Sequence, residues 1–226
     1  LVLTPLSLCL WWRSHPGQWL VLCVAWAVPI AWAYGVPGVG TNVLKVWEFN
    51  TRWRLGRFRL HHGFVFGSAT SMLVWLVHPP QVSSGWAVAQ FALIEACVLG
   101  FINFIYEVKA LQAQVLVVHN EAAARGLPAE AVAYDYAPWF FGGFGAAHGA
   151  CLAVALWLVQ AQPAWGQAWG ATLGLSALGL GLCTAVPVLG FMQASLRRHG
   201  HAGVRPVHAA SSSGTQAEAS DARRPQ

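Results

Sequence analysis

Two ionisable side chains, Glu95 and His148, stand inside stretches of this 226-residue chain that are otherwise apolar. A carboxyl group and an imidazole in such surroundings are the elements of general acid and base catalysis, because an apolar setting moves a carboxyl toward the titration range of a histidine. Each lies about ten residues, or roughly 15 Å at 1.5 Å per residue, from the end of its helical stretch. Adjacent antiparallel helices would bring them together near the middle of a bilayer. At about 100° per residue, Tyr106 falls roughly 20° from Glu95 and Asn103 roughly 80°, so the three form one polar stripe that runs down to Glu107. In the preceding apolar stretch His61, Ser68, Ser71 and His78 share an arc of about 100°. Two helices with one stripe each predict a polar-lined cavity between them, opening to the cytoplasm. His61, His62 and Glu107 would crowd its mouth, with His119 and Glu121 as further candidates. The expected roles are Glu95 as acid or base, His148 as relay, Asn103, Tyr106 and Glu107 as orienting or charge-stabilising groups, and His61, Ser68 and Ser71 as substrate contacts.

These residues need helices to hold them, and the composition says which kind. The chain is 56% hydrophobic and 9% charged, with a mean hydropathy of +0.49. Soluble domains carry about 25% charged residues, so too few charges exist here to cover a surface in water, and lipid must face the rest. A secreted disulfide scaffold, a nucleic-acid-binding domain and a disordered activator are excluded. A bilayer core about 30 Å thick needs around 20 apolar residues in helix, since every backbone amide must be bonded within the segment. Five stretches qualify, at 19–39, 61–78, 86–107, 139–160 and 168–192. They are continuous and rich in Leu, Ala and Val, not alternating as barrel strands are. The expected fold is therefore all-α, a polytopic bundle of about five transmembrane helices in one domain over 1–196. The short apolar opening 1–12 leaves a sixth span open, and no cleaved signal peptide is expected.

Charge sets the orientation. Lys45, Arg52, Arg54, Arg57 and Arg59 lie in the first connection, Lys109 and Arg125 in the third, and Arg197, Arg198, Arg205, Arg223 and Arg224 after the last span, while the second and fourth connections hold no Lys or Arg. The positive-inside rule then predicts an outside N-terminus and a cytoplasmic C-terminus, with a bacterial cytoplasmic membrane as the expected location. In the first connection Trp47, Phe49, Trp53, Leu55 and Phe58 mix with four arginines, which predicts an interfacial helix at 43–60 whose Arg52, Arg54, Arg57 and Arg59 meet anionic headgroups. The third connection, 108–138, reads as helix to about Ala124, a turn at Gly126-Leu127-Pro128 and a second short helix into Tyr136. The polar segment 197–226 predicts a disordered cytoplasmic tail, with His199, His201 and His208 as solvated histidines.

Several chemistries lack their motifs. No P-loop, zincin, nucleophile-elbow or aspartate-rich diphosphate motif is present. The His61-His62 pair falls short of the histidine boxes of membrane di-iron hydroxylases. Cys9, Cys23, Cys97, Cys151 and Cys183 all sit in apolar segments without C-x-x-C spacing and read as buried small hydrophobes. Gly145 and Gly149, like Gly170 and Gly174, have the spacing that lets helices approach closely.

The stretch Gly100-Phe101-Ile102-Asn103-Phe104-Ile105-Tyr106-Glu107 is similar to the polar-x-x-x-Glu helix of membrane sterol isomerases of the emopamil-binding type and, more loosely, of membrane terpene cyclases. The similarity covers eight residues, places Asn103 where the sterol isomerases have His, and falls on the third helix, not the second. Family membership does not follow from it. The leading expectation is an isomerase, cyclase or hydratase acting by proton transfer on an isoprenoid- or sterol-like compound. The alternatives are a non-enzymatic subunit or assembly factor of a larger respiratory or photosynthetic membrane complex, with a pigment or haem on His148, and a proton-coupled transporter using the Glu95 stripe. No metal is assigned, and the cofactor stays unknown. The expected partners are lipid or a lipophilic small molecule, with a homo-oligomer or complex partner open.

Overall fold

Pro29 interrupts the first long apolar run, and the backbone answers with a change of helical pitch. In the computed structural model, which describes residues 2–203, helix α2 (Trp19–Leu22) passes through a π-turn at Cys23–Ala27 into α3 (Val28–Asn42). Val28 N–H bonds the carbonyl of Cys23, five residues back. The Val24 carbonyl thereby loses its regular donor, and the next residue, Pro29, has no N–H to offer.

The rest is helical by the reasons read from composition. A short helix α1 (Leu3–Ser14) precedes the first span, and α4 (His62–Val77), α5 (Gly85–Gln112), α7 (Ala129–Ala161) and α8 (Trp169–His199) follow it. Ser84 starts α5 by accepting the Ala87 N–H at 3.2 Å. Gly200, at φ +75°, ends α8 after Arg197, Arg198 and His199 in its last turn, in keeping with the C-terminal dipole and the left-handed cap. Four helical segments, Trp19–Asn42, Gly85–Gln112, Ala129–Ala161 and Trp169–His199, are long and apolar enough to cross a membrane. Together with the shorter α4 they make a helical membrane bundle. At 16 residues, α4 is about 24 Å long, less than a full hydrocarbon core.

The bundle centres on α5 and α7, which run antiparallel in close contact. A Cβ at Gly145 would stand 2.6 Å from the Glu95 carbonyl oxygen, and one at Gly149 3.0 Å from the Ala92 Cα. No side chain larger than hydrogen fits between these backbones. Helix α4 packs on α3 and α1, with little contact to α5. Trp11 Nε1 of α1 donates to the Ser71 carbonyl at 3.0 Å, and Ser68 Oγ donates to Thr4 Oγ1 at 2.9 Å.

The connections on the basic side depart from expectation. No helix forms at 43–60. Instead β1 (Trp47–Phe49) leads into a hairpin of β2 (Arg54–Leu55) and β3 (Phe58–Arg59). Gly56, at φ +63°, supplies the positive φ that a two-residue hairpin turn requires, and Asn42 Oδ1 accepts the Arg57 N–H at 2.9 Å beside it. The third connection also differs. Helix α5 stops at Gln112, β4 (Leu116–Val118) pairs antiparallel with β1, and a single turn of helix α6 (Glu121–Ala124) begins at Asn120, whose side chain accepts the Ala123 N–H at 2.9 Å. The helix expected to be short at Ala129 runs on through Pro138 as the first turns of α7. Nor does the polar tail begin at 197. Helix α8 extends to His199, where Asp135 Oδ1 meets Arg198 at 3.2 Å and His199 Nε2 at 2.8 Å, while His201 lies 3.4 Å from Glu121. His208 and the remainder of that segment lie outside the described residues.

Candidate functional site

The register of α5 against α7 brings two carboxyl groups to two partners. Glu95 and Glu107 are 12 residues apart on α5, Tyr136 and His148 are 12 apart on α7, and the antiparallel packing pairs Glu95 with His148 and Glu107 with Tyr136. Twelve residues of helix span about 18 Å, so the pairs form two polar levels in one interface.

The first level is sealed. Glu95 and His148 both have no solvent exposure. His148 Nδ1 meets Glu95 Oε1, and His148 Nε2 lies 2.9 Å from the Val24 carbonyl that the π-turn released. A carbonyl only accepts, so Nε2 carries a proton, and the remaining proton is shared between Nδ1 and the Glu95 carboxyl. With that one shared proton the pair is neutral overall, whichever atom holds it. Glu95 Oε2 has no hydrogen-bond partner, and a Cβ at Gly149 would sit 2.8 Å from it. Phe144 stacks on the imidazole with centroids 5.6 Å apart, and Trp32 packs on Phe144 at 4.5 Å. Both ring nitrogens are engaged, which leaves no lone pair for an axial metal, so the residues present do not fit a haem or pigment ligated by His148. Among the described residues, no group of three or more His, Cys, Asp or Glu could hold a metal ion, and all five cysteines are free.

The second level opens on a cavity of about 80 Å³. Its walls are aromatic, with Trp32, Phe66, Phe140, Phe141 and Phe191 from the helices, and it is closed by Trp47, Phe49, Leu116 and Val118 from the small β1–β4 sheet. Glu107, Tyr136 and His62 are the polar groups that line it. Glu107 is 7% exposed, and the Tyr136 hydroxyl donates to its Oε2. The His62 ring stacks on Phe66 at 5.4 Å and lies 4.8 Å from Phe49. Neither Glu95 nor His148 lines this cavity. Trp32 and Phe144 stand between the two levels.

The other expected residues disperse. Asn103 is buried, but its amide donates to the Leu99 carbonyl of its own helix at 2.8 Å. Tyr106 is half exposed, near enough to Arg59 for the guanidinium charge to act on its phenol. His61 is exposed and accepts from Arg59 Nε at 2.8 Å. Ser68 and Ser71 are buried against α1, so the expected interior shared by the α4 and α5 stripes does not form. The cause is the short N-terminal helix, which occupies the polar arc of α4 itself. At the opposite end of α4, His78 packs on Trp11 at 4.9 Å and bonds the Trp75 carbonyl at 2.6 Å. Nearby His15 has its pKa lowered by burial and by the charge of His78. His119 and Glu121 lie on the β1–β4 side, where burial lowers the His119 pKa.

Tyr136 was not among the expected site residues, and neither was the aromatic wall. The repeated 12-residue spacing is the signal that finds Tyr136, because an antiparallel pair aligned at Glu95 and His148 must also align Glu107 with residue 136. No family model, curated protein or solved structure matches this chain.

Proposed function

We propose that this chain is a membrane-embedded enzyme that moves a proton on a lipophilic, isoprenoid-like substrate, in the manner of an isomerase, cyclase or hydratase. One observation carries the reading: a buried carboxyl group, Glu107, fixed by the Tyr136 hydroxyl at the wall of an aromatic cavity. Glu107 is the acid. Its proton adds to one carbon of a substrate double bond, and the positive charge left on the neighbouring carbon is stabilised by the faces of the ring walls. Loss of a different proton to the Glu107 carboxylate or to His62 gives the isomerised alkene and restores the proton count. The cavity has roughly half the volume of an engineered cavity of about 150 Å³ that binds benzene. It therefore accepts the branched end of a chain and not a whole tetracyclic sterol, and the remainder of the substrate stays in lipid.

On this reading Glu95 and His148 position α5 and α7, and through them Glu107 and Tyr136. The setting we propose is a bacterial cytoplasmic membrane, with Arg52, Arg54, Arg57 and Arg59 toward anionic headgroups on the cytoplasmic side. The test is purification in nanodiscs, extraction and mass spectrometry of bound lipid, and incubation with that lipid class in deuterated water. Wild-type chain should incorporate deuterium into the lipid, and Glu107→Gln should not. Incorporation that persists in Glu107→Gln overturns the assignment.

A second reading, a subunit of a larger membrane complex, is favoured by one feature. Cβ atoms at Gly170 and Gly174 would meet open space, so the close-approach motif on α8 has no partner among the described residues. Native mass spectrometry of the same nanodiscs distinguishes the two, since a stoichiometric partner chain is expected only on the second.

A further inference from the structure

The β1–β4 sheet has two faces with opposite chemistry. Alternation along the strands sends Trp47, Phe49, Leu116 and Val118 to the cavity, which leaves Glu48, Val117 and His119 on the outer face. Arg57 is fastened there. Its carbonyl accepts the Phe49 N–H at 3.0 Å, its Nε lies 3.9 Å from Glu48 Oε2, and its charge acts on His119. Two polar atoms of this cluster, Arg57 Nη1 and His119 Nε2, are buried with no hydrogen-bond partner, and Thr51 Oγ1 in the same connection is a third.

Such orphans are uncommon, and each calls for a cause. Guanidinium is always protonated, so Arg57 Nη1 can act only as a donor. Burial and the Arg57 charge lower the His119 pKa against the opposing charge of Glu48, and with a proton on Nε2 its unpartnered ring nitrogen is a second donor. Glu48 lies 3.9 Å from Arg57 Nε, and Nη1 is left without a partner. The neighbouring hairpin adds cations without acids, since Arg54 and Arg59 are paired directly across β2 and β3. Like charges directly opposite on a hairpin repel, and a bound anion relieves that repulsion.

We propose that the outer face of this cap is a binding site for a phosphate-type oxyanion, with Arg57 Nη1 and His119 Nε2 donating to its oxygens. The anion is either the monoester phosphate of a lipid headgroup or free inorganic phosphate, which present the same oxygens. The site does not depend on the cavity chemistry. Only its lipid source shares with that reading the placement of the cap at the headgroup layer.

The test uses the full chain in phosphatidylcholine nanodiscs. In one arm inorganic phosphate is titrated by calorimetry. In the other, nanodiscs containing a minor fraction of phosphatidic acid are examined by native mass spectrometry for retained lipid. Saturable binding in the first arm assigns a free anion and enrichment in the second a headgroup, and either supports the site. Arg57→Gln should weaken binding at least about tenfold, the loss expected for a charge-assisted hydrogen bond. Arg125→Gln removes the same charge from an exposed position outside the cap and should change it by less than about threefold. Arg57→Lys keeps the charge and loses the planar fork, so it too should weaken binding even if the Gln variant does not fold. Absence of saturable binding in both arms, or equal losses in the Arg125 and Arg57 variants, overturns the proposal.

Discussion

The Glu95–His148 and Glu107–Tyr136 pairs are the same construction at two levels of one helix interface, and their surroundings make them different devices. At the first level glycine lets two backbones close around the carboxyl group, and a carbonyl freed by Pro29 takes the second nitrogen of the imidazole. At the second level the helices stand back behind large rings, and a cavity reaches the acid. Burial of a titratable group is common to both, so burial alone does not mark a reactive site. Access does. The sealed pair ties together α3, through the π-turn before it, α5 and α7, whereas the open pair has one face left for a ligand.

The comparison predicts separable losses. Glu107→Gln keeps the shape of the side chain and removes its proton, and turnover should fall about 10²–10⁴-fold, the usual contribution of a general acid. Its thermal midpoint in detergent should stay near wild type. Substitution at the sealed level should do the reverse. His148→Ala leaves both Glu95 and the Val24 carbonyl without a partner in a site closed to water, and the expected cost is about 3–5 kcal/mol of stability. Thermal denaturation in micelles reads it. A His148→Ala variant that folds as well as wild type but has lost turnover reverses the assignment of the two levels.

Smaller changes sharpen the same contrast. A methyl group at Gly149 would stand 2.8 Å from Glu95 Oε2 and 3.0 Å from the Ala92 Cα. Backbone cannot yield as a flexible side chain can, so Gly149→Ala should destabilise by about 1–3 kcal/mol. Gly170→Ala meets open space and should cost the isolated chain nothing measurable. If Gly170→Ala instead breaks an oligomer in native mass spectrometry, the exposed motif on α8 is an interface.

The span pattern and the Glu95–His148 pair were legible in the sequence for one reason: apolar length and midplane depth are one-dimensional quantities. Two ionisable groups at matching depth on neighbouring antiparallel helices have few ways to avoid each other. What could not be read depends on which helices touch. Ser68 and Ser71 had the right arc, but α1 claims it, and nothing in the periodicity of α4 says which neighbour will. The cap failed for a different reason. A mixture of arginine with Trp and Phe fits an amphipathic helix as well as a strand and hairpin, and only Gly56 in a two-residue turn separates them. The end of α5 was also misplaced, because Leu116, Val117 and Val118 continue the apolar run; they leave the helix to pair with Phe49, Glu48 and Trp47, partners 67 to 71 residues away in the chain.

The finest division between the two levels is the Tyr136 hydroxyl. It donates to Glu107 Oε2, a hydrogen bond that stabilises the carboxylate more than the acid, because a charged acceptor holds it more strongly. Removing it in Tyr136→Phe therefore favours the protonated carboxyl group while leaving the ring in the cavity wall. Stability should change by no more than about 1 kcal/mol, the net worth of one such bond. The proton should then leave the acid less readily, and the alkaline limb of the pH–rate profile, where activity is lost as the acid ionises, should move to higher pH while the maximal rate falls severalfold. A profile that Tyr136→Phe leaves in place would mean that the group titrating in catalysis is not Glu107. The same measurement on Glu95→Gln then decides between the levels, since a sealed pair that only positions helices can alter the height of the profile but not its position.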